Sequence, residues 1–180
     1  MASTLTVDTI QGSTTADTVK LPKGGILQVE NTILQGTVAS STIQTYVDVM
    51  SLAITPKFAT SKILVQVSGC LSNATAANST MLKLLRGSTK IAAGNVSSTA
   101  DYNGSAFFAP PYDPAGATNT HCTGGFAINF LDSPATTSAT TYKIQIGGWN
   151  GVARVGVRGD TPGAAGQSMP TYFTLMEVAQ

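Results

Sequence analysis

Apolar and polar residues alternate along short runs from residue 25 to the end of the chain, with turn signals between the runs. In the run Lys62–Ser68 the alternation places Ile63, Val65 and Val67 on one face of an extended strand. The run from 142 to 146 has the same period, with an apolar or aromatic residue at every second position. A period of two predicts β-strands with one buried face, and no segment has the 3.6-residue period of a helix.

Six further runs complete the predicted strands. Residues 172–178 are apolar on both faces until Glu177, which predicts a central strand covered on both sides. The breaks between the runs contain Gly, Pro or a side-chain cap, as in Arg86-Gly87-Ser88 and Asp132-Ser133-Pro134. The remaining strands are predicted at 26–33, 45–52, 81–86, 126–131 and 152–158. About eight antiparallel strands joined in this way predict an all-β fold, a jelly-roll sandwich.

Residues 1–24 differ from the rest of the chain, because their few apolar residues stand apart in a background of Thr, Ser, Asp and Gly. Such a segment buries too little apolar surface to form a core, so we expect two short extended pieces that are disordered or ordered by another chain. We predict an attachment leader over residues 1–24 and a jelly-roll head over residues 25–180. The apolar residues expected to mediate attachment are Leu5, Val7, Ile10, Val19 and Leu21.

Two stretches, 88–125 and 159–170, resemble strands least. Long insertions in a compact domain are usually functional loops or loops that pack against another subunit. We therefore expect any recognition of a receptor to occur there. The candidate receptor-facing residues are Tyr102, Phe107, Phe108, Tyr112, Asp113 and Asp160.

The composition of the chain favours self-association and disfavours nucleic acid as a partner. Charged residues make up 11% of the sequence, against about 25% in a typical soluble domain, and a surface with so little charge repels its neighbours weakly. The ten basic residues are dispersed, whereas nucleic-acid binding requires clustered Lys and Arg. Their one tight group, Lys83, Arg86 and Lys90, is interpreted as a solvated strand and turn.

Targeting signals and cysteines indicate little about the function. The sequence has no apolar run of 18 residues and no signal peptide at its start, so we expect synthesis in the cytoplasm and no membrane insertion. Cys70 and Cys122 are too few for a disulfide scaffold. They are interpreted as buried thiols, with a single bridge between them as the alternative.

Residues that commonly carry chemistry do not form a recognisable motif. His121 and Cys122 are adjacent and would point to opposite faces of a strand, and they are too few for a zinc site. The nine carboxylates do not form a calcium loop, and most lie where capping of a turn is the simpler role, although two from separate strands could still meet. We therefore predict no catalytic, cofactor-binding or metal-binding residues, and no enzyme.

Aromatic residues are the remaining candidates for binding. Trp149 and Tyr142 could stack against a sugar, but a place in the core or in a subunit interface is the favoured interpretation. For Tyr112, in a loop bracketed by prolines, both interpretations stay open.

The run FLDSPATTSATTYKIQ at 130–145 is the most specific pattern in the chain, because an Asp-Ser-Pro turn leads into a Thr-rich stretch and an alternating strand. Other distinctive segments are residues 61–65, 86–88, 174–178 and the leader patterns at 5–10 and 18–22. Together these segments resemble those of small bacteriophage virion proteins, including tail-fibre-like and appendage proteins of phages that infect cyanobacteria and other marine bacteria. The resemblance touches most of the chain, and residues 88–125 match least.

The resemblance implies a C1q- or TNF-like jelly-roll head that trimerises, with the leader as an attachment or intertwining element. It brings no catalytic residues. We therefore predict a non-enzymatic virion protein, assembled in the host cytoplasm as a homotrimeric tail fibre or appendage. Its expected partners are its own copies, other virion proteins and a polysaccharide or protein of the host surface.

Two other functions remain open at this point. A capsid decoration or head-fibre protein would use the same trimer to stabilise the shell, and would be present in hundreds of copies per particle. A polysaccharide depolymerase would require carboxylates from different strands or subunits to meet.

Overall fold

The computed structural model describes residues 22–74, 79–93, 107–109, 123–157 and 168–180. These residues form strands, turns and irregular connections, with no helix among them. Every pairing between the strands is antiparallel, which confirms the predicted all-β class. The strands are β1 (Ile26–Leu34), β2 (Val38–Ser40), β3 (Val47–Ile54), β4 (Lys62–Asn73), β5 (Thr80–Arg86), β6 (Thr89–Ile91), β7 (Phe107–Ala109), β8 (Thr123–Asp132), β9 (Thr140–Gly148), β10 (Ala153–Val155) and β11 (Thr171–Val178).

The strands form two sheets that pack as a sandwich. In the first sheet the long strands follow the order β1-β11-β4-β8, and the short strands β10 and β2 continue beyond β11 along the end of β4. The second sheet has the order β3-β9-β5, with β6 and β7 both paired to β5. The chain passes from one sheet to the other between β3, β4 and β5, and again between β8, β9 and β11. This alternation is the topology of a jelly roll and confirms the predicted fold.

The core lies between the two inner faces, where the predicted alternation is confirmed. Ile63, Val65 and Val67 of β4 are at most 2% exposed and point inward, and the inward residues of β9 are completely buried. Val and Ile suit these positions because their branched side chains pack well on a pleated surface.

The last strand, β11, departs from the prediction. It is central in the hydrogen-bonding order, between β1 and β4, and its inward residues Phe173 and Leu175 are buried. The prediction of cover on both sides is wrong for the described chain, since Tyr172 on its outer face is 48% exposed. The physical reason is that each sheet of a two-layer sandwich has one covered face and one outer face.

The stretch 88–125, predicted as loop, contains β6, β7 and the start of β8. The first two are three residues long, so the local sequence shows no period, and they form through pairing with β5. The turn between β5 and β6 is as predicted, with Gly87 at φ +59°. Glycine suits this conformation because it has no Cβ to clash with the backbone.

The sandwich has two distinct ends. At one end, β1 begins opposite the end of β11 and β4 begins opposite the end of β8. This end also contains residues 22–25, the connections 55–61, 87–88 and 133–139, and residues 179–180. We call this the leader end, because residues 1–21 join the domain there. The end of β4 and the starts of β5 and β8 lie at the opposite end, which we call the loop end. The described residues contain no helix long and apolar enough to cross a membrane.

Candidate assembly surface

The outer face of the first sheet carries an ordered pattern of side chains. The register of the pairings aligns outward residues from β1, β11, β4 and β8 in rows that run across the sheet. We name these the lower apolar row, the polar row and the upper apolar row, from the leader end to the loop end. They consist of Val29, Met176, Leu64 and Leu131; of Asn31, Thr174, Gln66 and Asn129; and of Ile33, Tyr172, Ser68 and Ala127.

Exposed apolar side chains concentrate on this outer face. Among the described residues, five of the eight large hydrophobic side chains with high exposure belong to it, each 44–48% exposed: Ile26, Val29, Ile33, Leu131 and Tyr172. Lys62 is the one charged residue among the outward positions of the four paired strands. Monomeric soluble proteins rarely expose a large contiguous apolar surface, and such surfaces commonly mark sites of association.

A depression of about 210 Å³ lies on the outer face between the polar row and the upper apolar row. Gln66, Asn129, Tyr172 and Thr174 contribute to its wall, and Nε2 of Gln66 donates a hydrogen bond to Oδ1 of Asn129 at 2.9 Å. Sites for small molecules usually have volumes of about 300–1,000 Å³. The depression is smaller than this range.

The outer face of the second sheet is different in character, because it carries paired charges. Asp48 accepts hydrogen bonds from Nε2 of Gln145 at 2.6 Å and from Nζ of Lys143 at 3.2 Å. The hydrogen bond from Gln145, followed by that from Lys143, holds the pKa of Asp48 below its usual value. The ammonium group of Lys83 lies 3.6 Å from the centre of the Tyr46 ring. Paired charges of this kind are satisfied within the chain.

The interpretation of the basic group as solvated is wrong for Lys83. Lys83 is only 3% exposed, because the ring of Tyr46 lies over it and provides a cation–π contact. The side chain of Arg86 is 32% exposed, and its Nη1 lies 2.9 Å from Oδ2 of Asp132 in an ion pair. Both contacts join residues distant in sequence, so the local pattern could not reveal them.

Two carboxylates on the inner face of the first sheet stabilise the leader end. Asp132 accepts the hydrogen bond of the Tyr142 hydroxyl at 2.7 Å in addition to the ion pair with Arg86. Oε1 of Glu177 accepts the backbone N–H groups of Lys57 and Phe58 at 2.8 and 3.2 Å. Its second oxygen, Oε2, accepts Nε2 of Gln28 at 2.6 Å. Glu177 thus caps, from the last strand, the turn that follows β3.

Asp132 and Glu177 are both engaged in contacts within the fold. Glu177 and Asp132 lie in one row of the sheet, on either side of Ile63 of β4. Both are buried, at 0% and 6% exposure, and both are occupied by the hydrogen bonds above. Among the described residues, no three His, Cys, Asp or Glu side chains are grouped so as to hold a metal ion.

The other candidates from the sequence are only partly located. Tyr142 is completely buried, as predicted for a core residue, whereas Trp149 is 44% exposed and is not a core residue. Cys70 is a buried free thiol, as predicted, and burial raises its pKa. Phe107 and Phe108 belong to β7, where they pair with β5. Outside the described residues lie His121, Cys122, Tyr102, Tyr112, Asp113, Asp160 and the leader residues Leu5, Val7, Ile10, Val19 and Leu21.

The chain matches no family model and no curated protein. Among solved structures it is similar to the crystal structure of the infectious bursal disease virus VP2 subviral particle, at 12% sequence identity and a TM-score of 0.40. The similarity covers 85% of this chain and 38% of the VP2 chain, so this chain spans less than half of that protein. The jelly-roll assignment rests on the strand pairings described above.

Proposed function

We propose that this chain is a non-enzymatic structural protein of a bacteriophage virion, a homotrimeric tail fibre or appendage that assembles through the outer face of the first sheet. The observation that carries the proposal is the apolar, almost uncharged outer face with its five exposed large side chains. Burial of apolar surface contributes about 25 cal/mol per Å². Association of copies is the simplest way for this face to leave water.

The separation of the two ends supports the proposed arrangement on the particle. The leader joins at the leader end, which the buried contacts of Asp132 and Glu177 stabilise. The end of β4 and the start of β8 lie at the opposite end. A fibre fixed through its leader would therefore carry the loop end away from its anchor, and we propose that this end contacts a host surface.

The resemblance of the 130–145 segment to phage virion proteins supports the phage origin. In this segment Asp132 begins the Asp-Ser-Pro connection and also pairs with Arg86 of the second sheet. The Asp-Ser-Pro motif therefore has two structural roles, because it forms a turn and its Asp132 joins the two sheets.

The direct test is incorporation into particles. Virions carrying the full chain are compared with virions carrying a chain that lacks residues 1–21, by quantitative mass spectrometry of purified particles and by antibody labelling in electron micrographs. We expect the full chain at a tail or vertex position in a few tens of copies or fewer, and loss of the shortened chain from particles. Normal incorporation of the shortened chain would overturn the role of the leader, and hundreds of copies across the shell would identify a decoration protein instead.

Enzymatic activity has a separate test. Incubation of the purified full chain with host surface polysaccharide is expected to leave the polymer length unchanged, because the buried carboxylates that the structure describes already hold the fold together. Shortening of the polymer would contradict the non-enzymatic assignment.

A further inference from the structure

We propose that the polar row of the outer face, Asn31, Thr174, Gln66 and Asn129, binds the outer face of a second copy of this chain and fixes the register in which the copies meet. This inference rests on the proposed self-assembly. It adds the residues that select one register between the copies. The partner is a second copy rather than a nucleic acid or a charged protein.

Charge is the first argument for a second copy. In a trimer whose three outer faces turn towards one axis, like charges on that face approach one another. The outward positions of the four paired strands contain a single charged residue, Lys62, at the edge towards the leader end. A nucleic acid would need several positive charges here, and an oppositely charged protein would need charges of one sign.

The chemistry of the polar row is the second argument. The amide groups of Asn31, Gln66 and Asn129 each contain a donor and an acceptor, and the Thr174 hydroxyl provides both as well. A row of such groups is complementary to another copy of itself. Gln66 and Asn129 are already joined by a hydrogen bond of 2.9 Å, which holds their side chains in a defined orientation.

The size of the face is the third argument. The three rows extend over four strands, which lie about 4.8 Å apart and rise about 3.3 Å per residue, giving a footprint on the order of 400 Å². Stable interfaces bury about 600–1,000 Å² on each partner. The three rows would therefore form only the centre of a contact that also includes the margins of the face, whereas an added peptide strand would cover only one of the four strands.

The position of the polar row between two apolar rows explains why it would set the register. Apolar contacts have no direction, so two apolar faces are free to slide over one another. A shift of two residues along the strands moves the polar row onto an apolar row and leaves buried amides without partners. Each such group costs about 1–3 kcal/mol, and polar groups in otherwise apolar interfaces are known to select one register.

The test uses the full chain with a photo-crosslinking residue in place of Ser68, which lies beside the polar row on the outer face. Heavy- and light-isotope copies are mixed, unfolded and refolded together, so that mass spectrometry of the products separates links between copies from links within one chain. The variants are Gln66→Leu with Asn129→Leu, which removes the two bonded amides, and Leu131→Lys, which places a charge in the lower apolar row. Ala53→Lys, at an exposed position of β3 in the second sheet, is the matched control for added charge.

We expect links between copies at one set of positions on the outer face, unchanged in Ala53→Lys and at least tenfold weaker in Leu131→Lys. In the double Leu variant we expect association to persist while the links spread over several positions. A single unchanged set of links in that variant would overturn the role of the polar row and leave self-assembly intact. Links to residues 1–21 of the same chain, or a monomeric chain without links between copies, would overturn the assignment of the face to a second copy.

Discussion

Replacement of Tyr142 by Phe tests the contact that closes the leader end. The Tyr142 hydroxyl donates to Oδ2 of Asp132 at 2.7 Å, the ring is completely buried, and Asp132 is 6% exposed. A hydrogen bond to a charged group contributes about 1.5–3 kcal/mol. Asp132 keeps its ion pair with Arg86 in the variant, so we expect a loss of about 2 kcal/mol in the free energy of unfolding at pH 7.

The pH dependence of this loss distinguishes the hydrogen bond from simple packing. Burial, followed by the hydrogen bond to Asp132 and its negative charge, raises the pKa of Tyr142 far above its ordinary value of 10.0. Above about pH 10 the unfolded chain loses the phenol proton while the folded chain keeps it, so the stabilisation by Tyr142 is complete below pH 10 and decreases above it. The decrease is about 1.4 kcal/mol per pH unit. The Phe variant has no such proton.

The assay is urea unfolding followed by circular dichroism from pH 7 to 11.5, at equal chain concentrations because association contributes to stability. We expect the difference between wild type and Tyr142→Phe to be constant to about pH 9.5 and to approach zero near pH 11.5. Asp48→Asn removes an exposed carboxylate and is the control for the pH series, with an expected effect below about 1 kcal/mol. A difference that stays constant across the whole pH range would refute the proposed state of Tyr142.

Three further predictions concern local contacts. Gly148→Ala is expected to destabilise the fold by about 1–3 kcal/mol in thermal unfolding, because the new Cβ would collide with a backbone carbonyl of the following turn. Gly125→Ala is the control and should change the stability little, since the nearest atom to its Cβ would be 3.9 Å away. Glu177→Gln should cost about 1.5–3 kcal/mol, since the carboxylate accepts two backbone N–H groups and a side-chain amide, and unchanged urea unfolding would contradict this. In a Cys122→Ser background, Cys70 should react with a thiol reagent only after unfolding, because burial keeps the thiol protonated and inaccessible. Rapid reaction of the folded chain would contradict the burial of Cys70.

Much of the fold could be predicted because its signals are local. The period of two in β4 and β9 assigns Val65 and Ile144 to the core without knowledge of their partners, and both are completely buried. The turn at Gly87 follows from the conformational freedom of one residue. The number of strands predicts a jelly roll but not the order of strands within each sheet. That order depends on pairings between residues far apart in sequence, such as those of β11 with β1 and β4.

The assembly surface could not be predicted, because the local pattern does not say which partners lie beside a strand. The apolar residues on both faces of β11 are a signal of this surface, but the same pattern is typical of a strand that is covered on both sides within one domain. The cover of Lys83 by Tyr46 and the capping of a turn by Glu177 also depend on residues far apart in sequence. The rows of the outer face become visible only when the register across four strands is known.

Sedimentation equilibrium of the purified full chain tests the central claim, assembly through the outer face of the first sheet, most directly. We expect a trimer of about 55 kDa, three times the 18.4 kDa of one chain, and a shift to 18.4 kDa in Leu131→Lys but not in Ala53→Lys. A wild-type chain that sediments at 18.4 kDa, or a trimer that Leu131→Lys leaves intact, would contradict it.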